Sequence, residues 1–247
     1  MPPAVFRLAA WMESMHSSIR TRSLSVVLLA AFLAAATLVL AWPRFKASYR
    51  FLPVDLAIER YYETREIPSN RMLTLIGFAR QALDWHDHYR YHDGLSFLYY
   101  LRGLDIRTPA LERRGAYRQA EQQAIETVRS APAQPEAWLR IATVRSILRD
   151  EPETVLAPWR MSVFTGRTHS TLVAPRVGVA LPYLDFMDNE ARAMLRDQIL
   201  LAWALKPREL VLELKARDPS LIRSRELLGA FAPGALAEME ERIEKAR

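Results

Sequence analysis

Residues 24–42, LSVVLLAAFLAAATLVLAW, constrain this chain more than any other stretch. The run has nineteen residues and no charge, and only Ser25 and Thr37 are polar. At about 1.5 Å per helical residue it reaches roughly 28 Å, close to the hydrocarbon thickness of a bilayer. In lipid every backbone N–H and C=O must be satisfied within the segment, so the expected structure is one helix. The chain then divides into a tail (1–23), a transmembrane helix (24–42), a juxtamembrane segment (43–52) and a soluble domain (53–247).

The charge distribution supports this division. Residues 1–50 hold Arg7, Arg20, Arg22, Arg44, Lys46 and Arg50 against Glu13 alone. The other 197 residues hold 28 basic and 27 acidic side chains. The basic excess therefore flanks the apolar run, where anionic headgroups would meet it. The balanced domain gives no electrostatic footprint for nucleic acid. Cys is absent, which excludes disulfides, thiolate metal sites and a Cys nucleophile. The 30 Arg against 4 Lys, with abundant Ala, point to a GC-rich bacterial genome.

Met12 and Met15 are internal start candidates. A start at Met15 makes a compact basic leader with Arg20 and Arg22, and Val39-Leu40-Ala41 has the form of a cleavage site. The run is long for a signal peptide, so an uncleaved anchor is the expectation. Basic residues lie on both sides of the run, so the positive-inside count is nearly a tie; a short tail before a large domain most often means tail inside and domain outside, which is the expectation here, with Trp42 and Tyr49 at interfacial depth. Ala30/Ala34 and Ala31/Ala35 have small-xxx-small spacing for helix pairing.

Beyond residue 50, Pro and capping residues punctuate helical patterns. Helices are expected from Pro53 to about 65, then over about 71–87, 92–103, 109–130, 136–148, 152–165, 171–181, 189–205, 207–216, 219–229 and 234–246. Ser69 or Asn70 would cap the second of these, Thr108-Pro109 would open the 109–130 helix, and Gly166 would close the 152–165 helix. Connections of two to six residues describe antiparallel helical hairpins. Ala120, Ala124, Thr127 and Pro132 have the spacing of the second helix of a tetratricopeptide repeat. The 34-residue period then calls for an aromatic, a large apolar and a small residue at 138, 141 and 142. The chain supplies Trp138, Ile141 and Ala142. Leu195, Ile199, Ala202 and Pro207 resemble a second copy, and 150–190 keep no register. The fold class read from the sequence is all-α, a single transmembrane helix followed by a tetratricopeptide-like helical-hairpin domain.

Three of the five His fall within seven residues: His86, His88 and His92, beside Asp87 and Asp93. On a continuous helix, His88 and His92 share a face and could grip a metal ion. Trp85, Tyr89, Tyr91, Tyr99 and other aromatics interleave. The same pattern describes a partly buried amphipathic segment or a surface for a partner or sugar. Trp85, His86, His88, Tyr89, His92, Asp93 and Tyr99 are the candidate interaction surface. His169 near Ser162 or Thr165 is a remote nucleophile–base pairing. Neither a GxSxG elbow nor a phosphate loop, HExxH or CxxC occurs. No catalytic residue, cofactor or metal is assigned.

The segments YRFLPVDLAIERYYETRE (49–66), HDHYRYHDGLS (86–96), PEAWLRIA (135–142), WRMSVFTGR (159–167) and LLAWALKPRE (200–209) resemble a bacterial family of membrane-anchored helical proteins. That family is associated with cell-envelope and extracellular-polysaccharide functions. The resemblance implies an accessory or scaffolding role, and it carries no catalytic motif. The expectation is a non-enzymatic adaptor in the bacterial inner membrane with its domain in the periplasm. Its partners would be the membrane and the proteins of an envelope complex, including polysaccharide synthesis or export components. A structural subunit and a glycan-active or metal-binding enzyme using residues 86–93 are the alternatives. Oligomeric state is left open.

Overall fold

In the computed structural model the backbone is described over residues 4–245 and the side chains over 26–245. Arg7, Met12, Met15, Arg20, Arg22 and the rest of the tail, together with residues 246–247, lie outside the described side chains. Among the described residues there are eleven α-helices, one 3-10 helix and no strand. The chain is all-α, and its first helix is long and apolar enough to cross a membrane.

That helix, α1, runs unbroken over Ala4–Thr64 with Pro43 and Pro53 inside it. The expected opening of a helix at Pro53, and the separate juxtamembrane segment 43–52, are therefore corrected. A mid-helix Pro deletes one backbone hydrogen bond and crowds the carbonyl four residues back. Here packing outweighs that cost. Ala47, Phe51 and Val54 are fully or almost fully buried against the domain, so the packed body begins within the segment read as juxtamembrane.

The next helices lie close to their expected places: α2 Ser69–Trp85, α3 Tyr89–Leu104, α4 Ala110–Ser130, α5 Pro135–Leu148 and α6 Pro152–Thr165. Each packs on its sequence neighbour, so short connections make successive hairpins. Pro135 and Pro152 start their helices, where the missing N–H costs nothing, and Glu136 and Glu153 complement the dipole. The cap expected at Ser69 does not form. Its hydroxyl donates instead to Asp105 Oδ2 at 2.6 Å, and Pro68 precedes the helix without a side-chain cap. Gly166 does end α6, with an extended rather than left-handed backbone. A Cβ there would lie 2.8 Å from Pro135 Cγ, so close approach explains the glycine.

Helices α3 and α4 cross closely. Ser96 Oγ donates to the Ala120 carbonyl at 2.7 Å in the buried interface, and Gly103 faces the ring of Tyr117. A Cβ on Gly103 would stand 2.5 Å from Tyr117 Cε1. Gly103→Ala is therefore expected to lower stability by about 1–3 kcal/mol, read as a fall in the urea midpoint. The residues of the repeat pattern sit in this region. Ala120, Ala124, Ile141 and Ala142 are buried. Trp138 is half-buried, its indole N–H donating to the Pro132 carbonyl at 2.7 Å, and Pro132 itself is exposed in the turn.

The second half is less regular: α7 Val173–Ala180, a 3-10 turn Leu181–Phe186, α8 Asn189–Leu205, α9 Pro207–Arg217, α10 Ile222–Leu228 and α11 Pro233–Lys245. The 3-10 turn was not foreseen. Leu195, Ile199 and Ala202 are fully buried on α8, but α8 packs on α7 and α9 rather than continuing the hairpin series. Two main cores result. One gathers α1 to α4, and the other gathers α6 to α11, with α5 between them sending Val144 to the first and Leu139 and Ala142 to the second.

Glu213 on α9 is half-buried against Gly178. Burial pushes its carboxyl above the ordinary 4.5, with Arg217 pulling the other way. A raised folded value means the folded state holds the proton more tightly than the unfolded state. Stability therefore falls as pH rises from 4.5 through the folded value and stays lower beyond it. Glu213→Gln is expected to raise the melting temperature at pH 7, the gain closing as pH drops below 4.5. Melting curves across that range check it.

Candidate functional site

The His-rich segment forms the connection between α2 and α3. His86 and His88 both adopt extended backbone conformations. The His86 N–H still closes onto the Ala82 carbonyl at 3.0 Å, which ends α2. His88 then acts as the N-cap of α3: its Nδ1 accepts the Arg90 N–H at 3.3 Å. Capping rules favour Ser, Thr, Asp and Asn, so the expected helix start fell three residues late, at 92.

This geometry overturns the shared-face reading of His88 and His92. His88 precedes the helix, and His92 lies inside it. The imidazole of His92 sits between two oxygens, Asp87 Oδ1 at 2.8 Å from Nε2 and Gln123 Oε1 at 2.6 Å from Nδ1. Among the described residues no group of three or more His, Asp or Glu is placed to hold a metal ion. Asp93 accepts from Arg140 Nη1 at 2.6 Å, and that guanidinium lies 5.4 Å over the Phe97 ring. His92 and Asp93 thus fasten α3 to α4 and α5. Tyr99 is also withdrawn from the candidate surface: it is 4% exposed, with its hydroxyl paired to Arg80.

What remains of the candidate surface is Trp85, which is exposed, with His86, His88 and Tyr89 half-buried beside it. The His86 and His88 rings stack at 5.9 Å, and His88 lies 4.5 Å from Tyr89 and 5.7 Å from Tyr91. Burial lowers the His88 pKa, and the neighbouring charges of His86 and Arg90 add to the shift. His88 is therefore neutral at physiological pH, suited to stacking and to accepting a hydrogen bond.

The neighbour of this edge is not legible in the sequence. It is α1. Tyr91 Oη lies 3.0 Å from Ser48 Oγ, and the Tyr91 ring meets Phe51 at 4.8 Å. Lys46 Nζ stands 5.0 Å from the Trp42 ring and 6.0 Å from the Trp85 ring. The 85–89 edge thus sits level with the end of the apolar run. Lys46 was legible only as a flanking charge, because nothing local says that it bridges two tryptophans 43 residues apart.

The remote nucleophile–base pairing does not form. Ser162 is buried, donating to the Pro135 carbonyl at 2.8 Å and accepting from Arg176 Nε at 3.0 Å. His169 pairs with Glu136 at 2.9 Å and with the Thr171 hydroxyl at 3.1 Å. What the sequence hid here is Arg176, fully buried on α7. Its guanidinium reaches Ser162, Gly166, Arg167 and Gln198. The carbonyls of Ser162, Gly166 and Arg167 belong to the last turn of α6 and the residues just after it, where helix carbonyls lack partners and the dipole favours a cation. Burial lowers the Arg176 pKa to about 10, which leaves it charged at neutral pH. It is a structural clasp between two helices.

The chain matches no family model, and no curated protein matches it.

Proposed function

We propose that this chain is a non-enzymatic, single-pass adaptor of the bacterial inner membrane. Its helical domain, on the periplasmic side, holds components of envelope polysaccharide synthesis or export through protein–protein contacts. The observation that carries the reading is the unbroken α1, which leaves the apolar run and enters the domain core without a linker. Such a helix fixes the 85–89 edge at the bilayer surface, where amphipathic Trp, Tyr and His side chains are at home. Stacked hairpins add an extended surface of the kind that takes protein segments. The family resemblance supplies the polysaccharide context, and two of its segments, 49–66 and 86–96, meet at this seam.

Brief crosslinking in cells, mild solubilisation of the full chain and identification of the co-purified proteins test the reading. Capture of glycosyltransferase, polymerase or export proteins, lost in Trp85→Ala/His88→Ala while the helical content is kept, supports it. Recovery of the chain without such proteins sinks it.

A further inference from the structure

Helix α1 carries two apolar stripes on opposite sides. Ala47, Phe51, Val54, Ile58 and Tyr61 face the domain and are covered by α2 and α3. Leu38, Trp42, Phe45, Tyr49, Leu52 and Leu56 recur at steps of four and three residues on the other side. Phe45, Tyr49, Leu52 and Leu56 each lie two positions from a member of the covered series, which is about 200° around a helix, and Leu38 and Trp42 continue the same line toward the N-terminus. This second stripe is bare. Phe45 is 59% exposed, Tyr49 64%, Leu52 50% and Leu56 54%. Leu56 stands about 21 Å beyond Trp42 along the helix, so the stripe continues from the apolar run well past the headgroups into water.

The 3.5-residue period is that of a coiled-coil seam, with Trp42, Tyr49 and Leu56 at a and Phe45 and Leu52 at d. Extended into the apolar run, the same register selects Ala31 and Ala35, small residues that let two helices approach. The covered face falls at c and f, pointing away from the seam, so two domains would hang outward without collision. At the flanks, Asp55 takes g and Arg60 takes e. In a parallel pair, g of one helix meets e of the next heptad on the other, so Asp55 faces the partner's Arg60. Asp55 Oδ2 accepts from its own Arg90 at 2.7 Å, and Oδ1 remains for the partner. Beside Leu52 and Leu56 a groove of about 260 Å³, lined also by Ala57, Ile67 and Leu75, can admit a facing side chain.

We propose that the bare face of α1 is covered by a second copy of this chain, in a parallel, in-register pairing that begins in the bilayer and continues through Leu56. Two copies anchored by one helix must run parallel, and the opposite charges at g and e match in that register. The parallel orientation, and with it the Asp55–Arg60 match, rests on the reading of α1 as the anchor; the 3.5-residue period does not.

The chain has no Cys, so single substitutions can be scanned from position 44 to position 57 in the full-length protein, in native membranes, under mild oxidation. Disulfide dimers are expected at 45, 49, 52 and 56, with little at 47, 51 and 54. Arg60→Glu is expected to reduce the dimer yield of Leu56→Cys, and Asp55→Lys added to it to restore the yield. No dimer, a yield with no 3.5-residue period, or adducts only of a mass other than twice the chain would overturn the pairing. Membrane extraction of the same samples reports on the anchor separately: a chain that extracts as a soluble protein fails the anchor reading whatever the scan shows.

Discussion

Arg176→Ala is expected to lower the free energy of unfolding by about 3–5 kcal/mol, among the largest effects of any single substitution in the chain. The guanidinium is wholly buried and donates to the Ser162 hydroxyl and carbonyl, the Gly166 and Arg167 carbonyls and Gln198. Truncation removes a donor from each of these acceptors, leaves the Ser162 carbonyl in a buried site where water cannot easily replace the guanidinium, and opens a cavity between α6 and α7. Arg176→Met separates the two losses, since it keeps most of the aliphatic volume and removes every hydrogen bond from the side chain. If packing is the larger part, Met recovers most of the stability; if the clasp is, Met falls near Ala. Urea titrations of the solubilised full-length variants, followed by tryptophan fluorescence, read both.

The second large effect is expected at Phe51, where α1 enters the domain. Phe51 is 1% exposed, packs on Tyr91, and lies so close to Gly94 that a Cβ there would come within 2.4 Å of its ring. Phe51→Ala should cost about 3–5 kcal/mol in the N-terminal core. Its distinctive readout is local. With the seam loosened, α1 should become cleavable between residues 43 and 52 under limited proteolysis, whereas the parent chain resists there. A variant that loses stability but resists cleavage at that stretch would show that the seam is held by other contacts.

Much of the fold was legible because local signals agreed. The expected spans of α5 and α6 lay within a residue of the structure, in which Pro135 and Pro152 stand first in their helices. Asp188 caps α8 by accepting the Ala191 N–H at 2.8 Å, so that helix also began where its pattern did. Errors arose where tertiary contacts overrode local preference. Pro53 ordinarily opens a helix, yet burial of Phe51 and Val54 on either side keeps α1 continuous. The candidate site was legible in composition and not in partnership. Three His close in sequence suggested one cluster, but an extended connection sends His88 to the surface and leaves His92 between Asp87 and Gln123, a residue 31 positions on. Arg176 gave no sign, because one Arg in an apolar run looks like the edge of a polar face.

The unbroken passage of α1 from apolar run to core also makes the domain's azimuth and height functions of residue count. Each residue added between Trp42 and Ala47 would turn the whole body by about 100° around the helix axis and raise it by about 1.5 Å. An insertion of seven residues would nearly restore its bearing while lifting it about 10 Å along the helix axis. The helix therefore works as a shaft rather than a tether: one added residue points the 85–89 edge in another direction, and seven carry it out of reach of anything fixed level with the end of the apolar run.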